Sequence, residues 1–177
     1  MNRRLLRYAA VVLPLCLAAT ALPSAGLAED APFFAVNGDD SQLLSFGLGY
    51  YDVFDDQDAA EFRAEYRASA EFLIFKPFLG LMATSDAAVY GYGGVLTDFY
   101  FGRHFVLTPS IAAGLYHDGD GKDLGHVVEF RSAIEAAYRF DNRSRLGVLF
   151  YHISNAGLDD NNAGTEVLGL NYSLPID

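Results

Sequence analysis

Cysteine is nearly absent from this chain, and positive charge is scarce. A single cysteine, Cys16, stands among 177 residues, and 12 lysines and arginines face 23 aspartates and glutamates, giving a formal net charge of −11. With no second cysteine the chain has no internal disulfide, so its stability must come from burial or from a membrane. The acidic balance argues against a nucleic-acid partner, whose phosphates require lysine and arginine.

Long hydrophobic runs are also missing, except at the N-terminus. Three arginines within the first seven residues precede an apolar stretch over residues 9–22, and Gly26 and Ala28 are small residues at the positions that a signal peptidase inspects. We therefore predict a cleaved export signal over residues 1–28, followed by a single domain over residues 29–177.

Two other functions for this N-terminal stretch fit less well. A membrane anchor is disfavoured because the stretch contains Pro14 and is shorter than the roughly 20 apolar residues of a spanning helix. A lipoprotein signal is disfavoured because the bulky Leu15 precedes Cys16, where a small residue is needed.

Helical periodicity is not apparent after residue 28, and apolar and polar residues alternate instead. Within residues 60–68, alanine and aromatic side chains occupy the even positions, and glutamate and arginine occupy the odd ones. A period of two is the signature of a β-strand. The pattern predicts eight strands, near residues 44–51, 60–68, 73–83, 88–100, 105–117, 127–140, 145–154 and 164–174.

Eight strands of about ten residues suit an all-β fold, an eight-stranded antiparallel transmembrane β-barrel of the outer-membrane type. In each predicted strand, one set of alternate positions carries the charged residues together with many small ones, which fits the narrow interior of such a barrel. The other set of positions is rich in Phe, Leu, Ile and Tyr. A secreted soluble barrel or sandwich, with the faces reversed, is the alternative. The membrane barrel predicts eight inward-pointing charges: Glu61, Arg63, Glu65, Arg67, Glu129, Arg131, Glu135 and Arg139.

The last predicted strand also favours the membrane version. Residues 169–174, G-L-N-Y-S-L, resemble the C-terminal strand signal that outer-membrane assembly machinery reads. The usual final phenylalanine is missing, and Pro175 follows Leu174 directly.

Polar residues interrupt the apolar parity of the last two strands. Continuing that parity along the seventh predicted strand gives His152 and Ser154, and continuing it along the eighth gives Glu166. An unpaired polar group that faces hydrocarbon costs several kcal/mol. A cluster of such groups at one end of adjacent strands therefore indicates a function.

The spacing of these residues suits nucleophilic catalysis. Residues two apart on a strand lie roughly 6.6 Å apart, so the ring of His152 and the hydroxyl of Ser154 can turn toward one another. In a triad, Ser154 would be the nucleophile, His152 the base and Glu166 the group that orients the imidazole. Amides of Asn155 through Gly157, together with Asn162, are the nearest donors for an oxyanion. A short H-x-S motif also recurs by chance, so a plain polar hairpin is the alternative.

The C-terminal part of the chain, residues 102–176, resembles the lipid A 3-O-deacylase family of the Gram-negative outer membrane. The motifs are D-G-D-G-K-D-L-G at 118–125, E-F-R-S at 129–132, F-Y-H-I-S-N-A-G-L at 150–158 and N-A-G-T-E at 162–166. The resemblance implies that His152, Ser154 and Glu166 form the catalytic triad and that Asn155 and Asn162 belong to the site. It also implies hydrolysis of the ester that holds the 3-hydroxyacyl chain at position 3 of lipid A, the lipid part of lipopolysaccharide.

Other functions stay open at this point. A non-catalytic small barrel with a role in envelope integrity or adhesion is one, and an esterase of other lipids, including phospholipids, is another. Asp118, Asp120 and Glu129 have part of a calcium-loop spacing, but Lys122 occupies a ligand position and Asp123 replaces the turn glycine, so we predict no metal and no cofactor. The expected partners are outer-membrane lipids, and a homodimer stays open.

Overall fold

The computed structural model describes residues 33–38 and 41–176. The predicted export signal, residues 1–28, lies outside the described residues. Within the described ranges no helix is long and apolar enough to cross a membrane.

Ten strands make up the described part of the chain, and alternating burial runs along most of them. They are β1 Phe34–Val36, β2 Leu43–Tyr51, β3 Ala59–Arg67, β4 Lys76–Thr84, β5 Val89–Leu96, β6 Phe99–Phe101, β7 Phe105–His117, β8 Val128–Arg139, β9 Arg145–Ser154 and β10 Thr165–Pro175.

Eight of these strands close into an antiparallel ring, which confirms the predicted barrel. The hydrogen-bonded order is β7-β5-β4-β3-β2-β10-β9-β8, and β8 pairs with β7 to complete the circle. Pairing between β2 and β10 joins the first and last barrel strands over nine partner residues.

The two remaining strands extend one edge of the ring. β6 continues β5 along β7 in the same register, since Leu96 partners Ser110 and Phe99 partners Leu107. The continuous segment predicted over residues 88–100 is therefore interrupted at Thr97 and Asp98. β1 pairs with the free edge of β6, beyond the start of β4.

The eight predicted inward charges do face the barrel interior. Seven of them are at most 5% exposed. The eighth, Arg139, stacks over the ring of the buried Tyr100 at 5.8 Å. Buried charges must be paired, and here Arg63 bonds Glu61 at 2.8 Å while Arg67 bonds Glu135 at 2.6 Å. The opposite parity carries exposed apolar side chains such as those of Leu48, Leu79, Leu81 and Leu170.

The barrel has two unlike ends, which we call upper and lower. The upper end carries the connections 52–58, 85–88, 118–127 and 155–164, and the lower end carries 68–75, 102–104 and 140–144. Because every barrel strand runs antiparallel to its neighbours, β9 rises to the upper end and β10 descends from it. The predicted catalytic residues therefore lie at the upper end.

Candidate active site

The register of β9 and β10 brings two of the predicted catalytic residues together. His152 and Glu166 are direct partners across the two strands, and both lie on the outward parity. Nδ1 of His152 is 2.9 Å from Oε1 of Glu166. An ionised carboxylate only accepts hydrogen bonds, so the imidazole donates from Nδ1 and keeps Nε2 free as a base.

Ser154 shares the outward face of β9 with His152, two residues nearer the upper end. Both side chains are partly exposed and line one groove on the outer wall. Among the described residues Ser154 makes no hydrogen bond to His152. The predicted hydrogen bond between His152 and Glu166 is therefore present in this structure, and the predicted one between His152 and Ser154 is not. Catalytic hydrogen bonds are often long in unliganded enzymes.

Gly164 makes room for the imidazole. A Cβ at this position would lie 2.9 Å from Cε1 of His152, and the backbone has a φ of 65°. Positive φ is readily adopted by glycine, and only glycine leaves this space empty. The sequence offered N-A-G-T-E as a motif, but nothing in its pattern indicated that the glycine contacts the histidine.

Asn155 anchors the loop that follows Ser154, and its own side chain is fully used. It is buried, and its Nδ2 donates to the carbonyl oxygens of Leu124 at 3.0 Å and Asn161 at 2.7 Å. Its Oδ1 accepts from the N–H of Gly157 at 2.8 Å. Two of the predicted oxyanion residues, Asn155 and Gly157, are therefore engaged with the loop itself in this conformation.

Asn162 is held by one side of its amide. Its Oδ1 accepts from the backbone N–H of Asn155 at 3.2 Å, so Nδ2 is the part of the group left to donate. The N–H of Ala156, next to Ser154 and Asn155, has no hydrogen-bond partner within the described residues, and Ala156 has a φ of 54°. Of the amides near Ser154, the N–H of Ala156 and Nδ2 of Asn162 are thus the donors that the loop's own hydrogen bonds leave unused.

Ser132 is a polar neighbour of the site that sequence reasoning missed. It lies on the outward face of β8 and is the direct cross-strand partner of His152, opposite Glu166. The sequence did contain an indication of it, since Ser132 is a serine among alternate positions of this strand that are otherwise apolar or aromatic. Tyrosines aside, the polar side chains on the outward parity of the eight barrel strands are His117, Ser132, His152, Ser154 and Glu166.

A groove of about 470 Å³ leads from the site across the outer wall of β8, β7 and β5. It exists because Gly93 and Ala113 are cross-strand partners with little or no side chain, next to Phe130 on β8. Phe130 in turn partners Ser154. One end of the groove therefore lies beside Ser154.

A buried ion pair supports the site from inside the barrel. Asp52 is fully buried at the end of β2 and accepts from Nζ of Lys122 at 2.6 Å and from Oγ1 of Thr165 at 3.0 Å. The next residue, Val53, donates its N–H to the carbonyl of Glu166 at 3.1 Å. The turn after β2 thus holds the start of β10, where Glu166 lies.

The charge of Lys122 is secured by its partners. Burial lowers its pKa, but hydrogen bonds and attraction from Asp52 and Asp55 outweigh burial, so the pKa of Lys122 is raised above its ordinary value. Its ammonium group is therefore charged across the neutral range. Through Lys122 the loop 118–127 is tied to the turn after β2, and through Leu124 it is tied to Asn155.

Metal-ligating side chains are not clustered in the part of the chain that the structure describes. In residues 33–38 and 41–176 no group of three or more His, Cys, Asp or Glu side chains is arranged to hold one. Groups of the acidic loop 118–127 are instead used in hydrogen bonds: Lys122 bonds Asp52 in the turn after β2, and the N–H of Gly125 bonds Asp123 within the loop at 2.8 Å.

Comparison with known proteins gives consistent results. A model of the lipid A 3-O-deacylase (PagL) family matches residues 82–175, just over half of the chain. The lipid A deacylase PagL of Pseudomonas aeruginosa is 40% identical over 55 residues, which are 31% of this chain and 32% of that protein. The aligned segment thus spans about a third of the length of that relative.

Two solved structures share the fold. The crystal structure of the outer membrane enzyme PagL superposes with a TM-score of 0.64 at 21% identity, covering 76% of this chain and 99% of that one. A de novo designed transmembrane β-barrel superposes with a TM-score of 0.51 at 13% identity, covering 77% and 98%. These two likenesses support the barrel architecture.

Proposed function

The chain belongs to the lipid A 3-O-deacylase family, and on that premise we propose that it is an outer-membrane serine ester hydrolase that removes the 3-O-linked 3-hydroxyacyl chain of lipid A. One observation carries the proposal: His152 and Glu166 are hydrogen-bonded on the outside of the barrel, beside Ser154, in a band of outward side chains that is mostly apolar. A lipid substrate needs a site on that surface, since its acyl chains lie alongside the barrel.

The reaction begins with Ser154. Its Oγ attacks the ester carbonyl while Nε2 of His152 takes the hydroxyl proton, and Glu166 stabilises the imidazolium through Nδ1. The carbonyl oxygen becomes an oxyanion, for which Ala156 N–H and Asn162 Nδ2 are donors. The tetrahedral intermediate then expels the sugar alkoxide, which takes the proton from His152 and leaves an acyl-serine. Water, deprotonated by His152, releases the 3-hydroxy fatty acid and restores Ser154.

The groove and Ser132 suit the acyl part of this substrate. The groove is apolar along Gly93, Ala113 and Phe130, whereas Ser132 brings a hydroxyl to its wall beside His152. A 3-hydroxyacyl chain carries its own hydroxyl two carbons from the ester carbonyl. Ser132 is therefore the group in reach of that hydroxyl when the carbonyl lies at Ser154.

The orientation in the membrane follows from the substrate. Lipid A occupies the outer leaflet, so the upper end, with the loop 155–164, faces the cell exterior and the lower end faces the periplasm. The proposal includes export through a signal cleaved after Ala28, which N-terminal sequencing of the mature protein would test.

Mass spectrometry of lipid A incubated with the purified barrel tests the activity. Wild type should release one 3-hydroxyacyl chain, Ser154→Ala and His152→Ala should release none, and Glu166→Gln should leave a small residual rate, since triad members act as a unit. His117→Ala is the matched control, because it removes the other outward-facing histidine of the described barrel strands and does not line the groove. Release by Ser154→Ala at the wild-type rate would refute the triad.

Ser154 makes no hydrogen bond to His152 among the described residues. This favours a second candidate, a non-catalytic barrel with an envelope-integrity or adhesion role. That candidate predicts no acyl release by wild type from lipid A or from phospholipids in the same assay. Release from phospholipids alone would instead indicate an esterase of other lipids.

A further inference from the structure

A buried carboxyl group at the upper end of the barrel stands apart from the interior ion pairs. Glu129 lies on the inward face of β8 and is fully buried. Neither of its carboxyl oxygens has a hydrogen-bond partner among the described residues. Burying an ionised carboxylate without a partner costs far more free energy than burying the neutral acid. The surroundings of Glu129 therefore favour the neutral form.

The central ion pairs of the barrel interior are complete without Glu129. The buried charged residues of β3 and β8 are four glutamates and three arginines: Glu61, Glu65, Glu129, Glu135, Arg63, Arg67 and Arg131. Each of the other three glutamates has an arginine nitrogen between 2.6 and 3.3 Å from a carboxylate oxygen. Three positive and three negative charges thus offset one another. An ionised Glu129 would add a fourth negative charge to this set, which has no fourth arginine.

Tyrosines face Glu129 from the two strands on one side of it, β7 and β5. These are Tyr116 on β7 and Tyr90 on β5. The hydroxyl of Tyr90 donates to the backbone carbonyl of Glu129 at 2.9 Å. The hydroxyl of Tyr116 donates to the backbone carbonyl of Lys122 at 2.8 Å. Each phenol has a single proton to donate, so neither tyrosine donates to the carboxyl group.

Neither β8 nor the loop that precedes it brings a positive charge to this carboxyl group in the described part of the chain. From the loop, Asp123 adds a second acid. Nδ1 of His126 accepts from the backbone N–H of Val128 at 2.9 Å, and a ring nitrogen that accepts is unprotonated, so this imidazole is neutral. The next inward residue of β8 is Arg131, whose guanidinium pairs with Glu65 at 3.3 Å.

Glu129 lies beside the residue that anchors the loop of the proposed site. Phe130 on β8 pairs with Ser154 on β9. Glu129 and Asn155 each lie one residue nearer the upper end, and both are fully buried. Asn155 donates to the carbonyl of Leu124 at 3.0 Å, and Leu124 is itself 1% exposed. These three buried side chains therefore lie together where the upper loops cover the barrel interior.

We propose that Glu129 is a positioning residue that acts as the neutral acid. Uncharged, it keeps Leu124 and Asn155 packed and the loop after Ser154 in place, whereas its ionisation at alkaline pH releases that loop. On ionisation the proton passes to hydroxide in the solvent. The carboxylate left behind needs hydrogen bonds, and water reaches it when the loop that carries Leu124 moves outward. Asn155 then loses its bond to Leu124, and the amide donors next to Ser154 lose their fixed position. The effect on rate rests on the proposed hydrolase function.

Infrared spectroscopy of the purified barrel in detergent tests the protonation state, since a neutral carboxylic acid has a C=O stretch that a carboxylate lacks. At neutral pH wild type should show this band, and Glu129→Gln should have lost it. Glu71→Gln is the control, because Glu71 is exposed on the connection between β3 and β4 and its loss should leave the band unchanged. No such band in wild type, or the same band in folded Glu129→Gln, would overturn the proposal. Glu129→Met serves if Glu129→Gln does not fold.

Hydrogen exchange tests the link to the loop, because the N–H of Gly157 is bonded to Oδ1 of Asn155. At one alkaline pH this amide should exchange faster in wild type than in Glu129→Gln. Equal exchange at every pH would refute the link.

Acyl release from lipid A tests the effect on rate. Wild-type kcat should fall about tenfold for each pH unit beyond the ionisation, with KM little changed, and Glu129→Gln should not show this fall. The same alkaline fall in Glu129→Gln would contradict the positioning role. A wild type that releases no acyl chain at any pH would refute the hydrolase, and the infrared and exchange results would still decide the state of Glu129.

Discussion

Each end of the barrel interior contains a buried lysine paired with aspartate, and the two pairs are built differently. At the lower end Lys76 bonds Asp98, which also accepts from Arg145 at 2.9 Å and Thr108 at 2.6 Å. Side chains from β4, β9 and β7 therefore meet at one carboxylate, which lies between β5 and β6. At the upper end Lys122 belongs to a loop and bonds Asp52. The lower pair joins strands to one another, whereas the upper pair joins loops to the strand that carries Glu166. The same chemistry thus supports the fold at one end and the site at the other.

The largest effect is expected from Asp98→Asn, because it leaves the charges of Lys76 and Arg145 buried without their counter-charge. Breaking a buried pair in this way costs about 3–5 kcal/mol. Urea unfolding of the barrel in detergent micelles should show that loss in the free energy of unfolding, while acyl release per folded molecule stays near wild type. A large drop in the specific activity of the folded fraction would contradict the division between the two ends.

Gly164→Ala should have the next largest effect, and on activity. The new methyl group pushes the ring of His152 away, and a displacement of that size costs roughly a hundredfold in rate. Gly102→Ala at the lower end is the matched control, since its φ of 64° equals that of Gly164 within a degree and no atom lies near its Cβ position. Both variants should lose similar stability, and only Gly164→Ala should lose activity in the lipid A assay. Equal activities would show that the ring does not depend on the glycine.

Lys122→Met should lower kcat about tenfold, or roughly 1.4 kcal/mol of transition-state stabilisation, with KM little changed. The reason is that the loop 118–127 loses its tie to Asp52 and no longer holds Asn155 and Glu166 in place. Lys122→Arg should restore part of the rate. Lys76→Met, which breaks the lower pair, should mainly lower the free energy of unfolding. A fall in kcat as large as that of Lys122→Met would contradict the distinction between the two ends.

The smallest effect is expected on the outer wall, from Ala113→Leu. Its side chain fills the groove beside Phe130, so KM for a long acyl chain should rise by a few fold, within about 1 kcal/mol. Ala64→Leu fills a second outer groove, of about 570 Å³, on the wall of β2 and β3. Steady-state kinetics on lipid A should show a raised KM for Ala113→Leu and an unchanged KM for Ala64→Leu. A similar rise in KM for Ala64→Leu would argue against the groove near the site as the acyl subsite.

The period-two pattern predicted much of the fold, since side-chain direction in a strand depends only on parity. Residues 60–68 and 127–140 therefore gave the inward charges directly. The pattern did not predict the interruption at Asp98, because the partners of that carboxylate, Lys76 and Arg145, lie on other strands. Nor did it predict the hairpin 72–75, which alternation placed inside the third strand from residue 73, or β1, which is only three residues long.

For the site, parity predicted which side chains share the outer face, and the register makes His152 and Glu166 cross-strand partners. Ser132 and Gly164 were missed because their importance comes from the register of β8 and from a loop conformation. Neither can be read from one strand alone. Loop hydrogen bonds likewise determined which of the amides near Asn155 are free, and the residue types there did not.

The positions of paired residues along the chain also bear on the order of folding. His152 and Glu166 are 14 residues apart on one hairpin, whereas the seam that closes the barrel joins Ser45 to Ser173 across 128 residues. Contacts between close neighbours in sequence form with a smaller entropic cost than contacts that close a long loop. We therefore expect the β9–β10 hairpin to assemble its histidine–glutamate pair before the seam is made, with closure of the cylinder as the slower step.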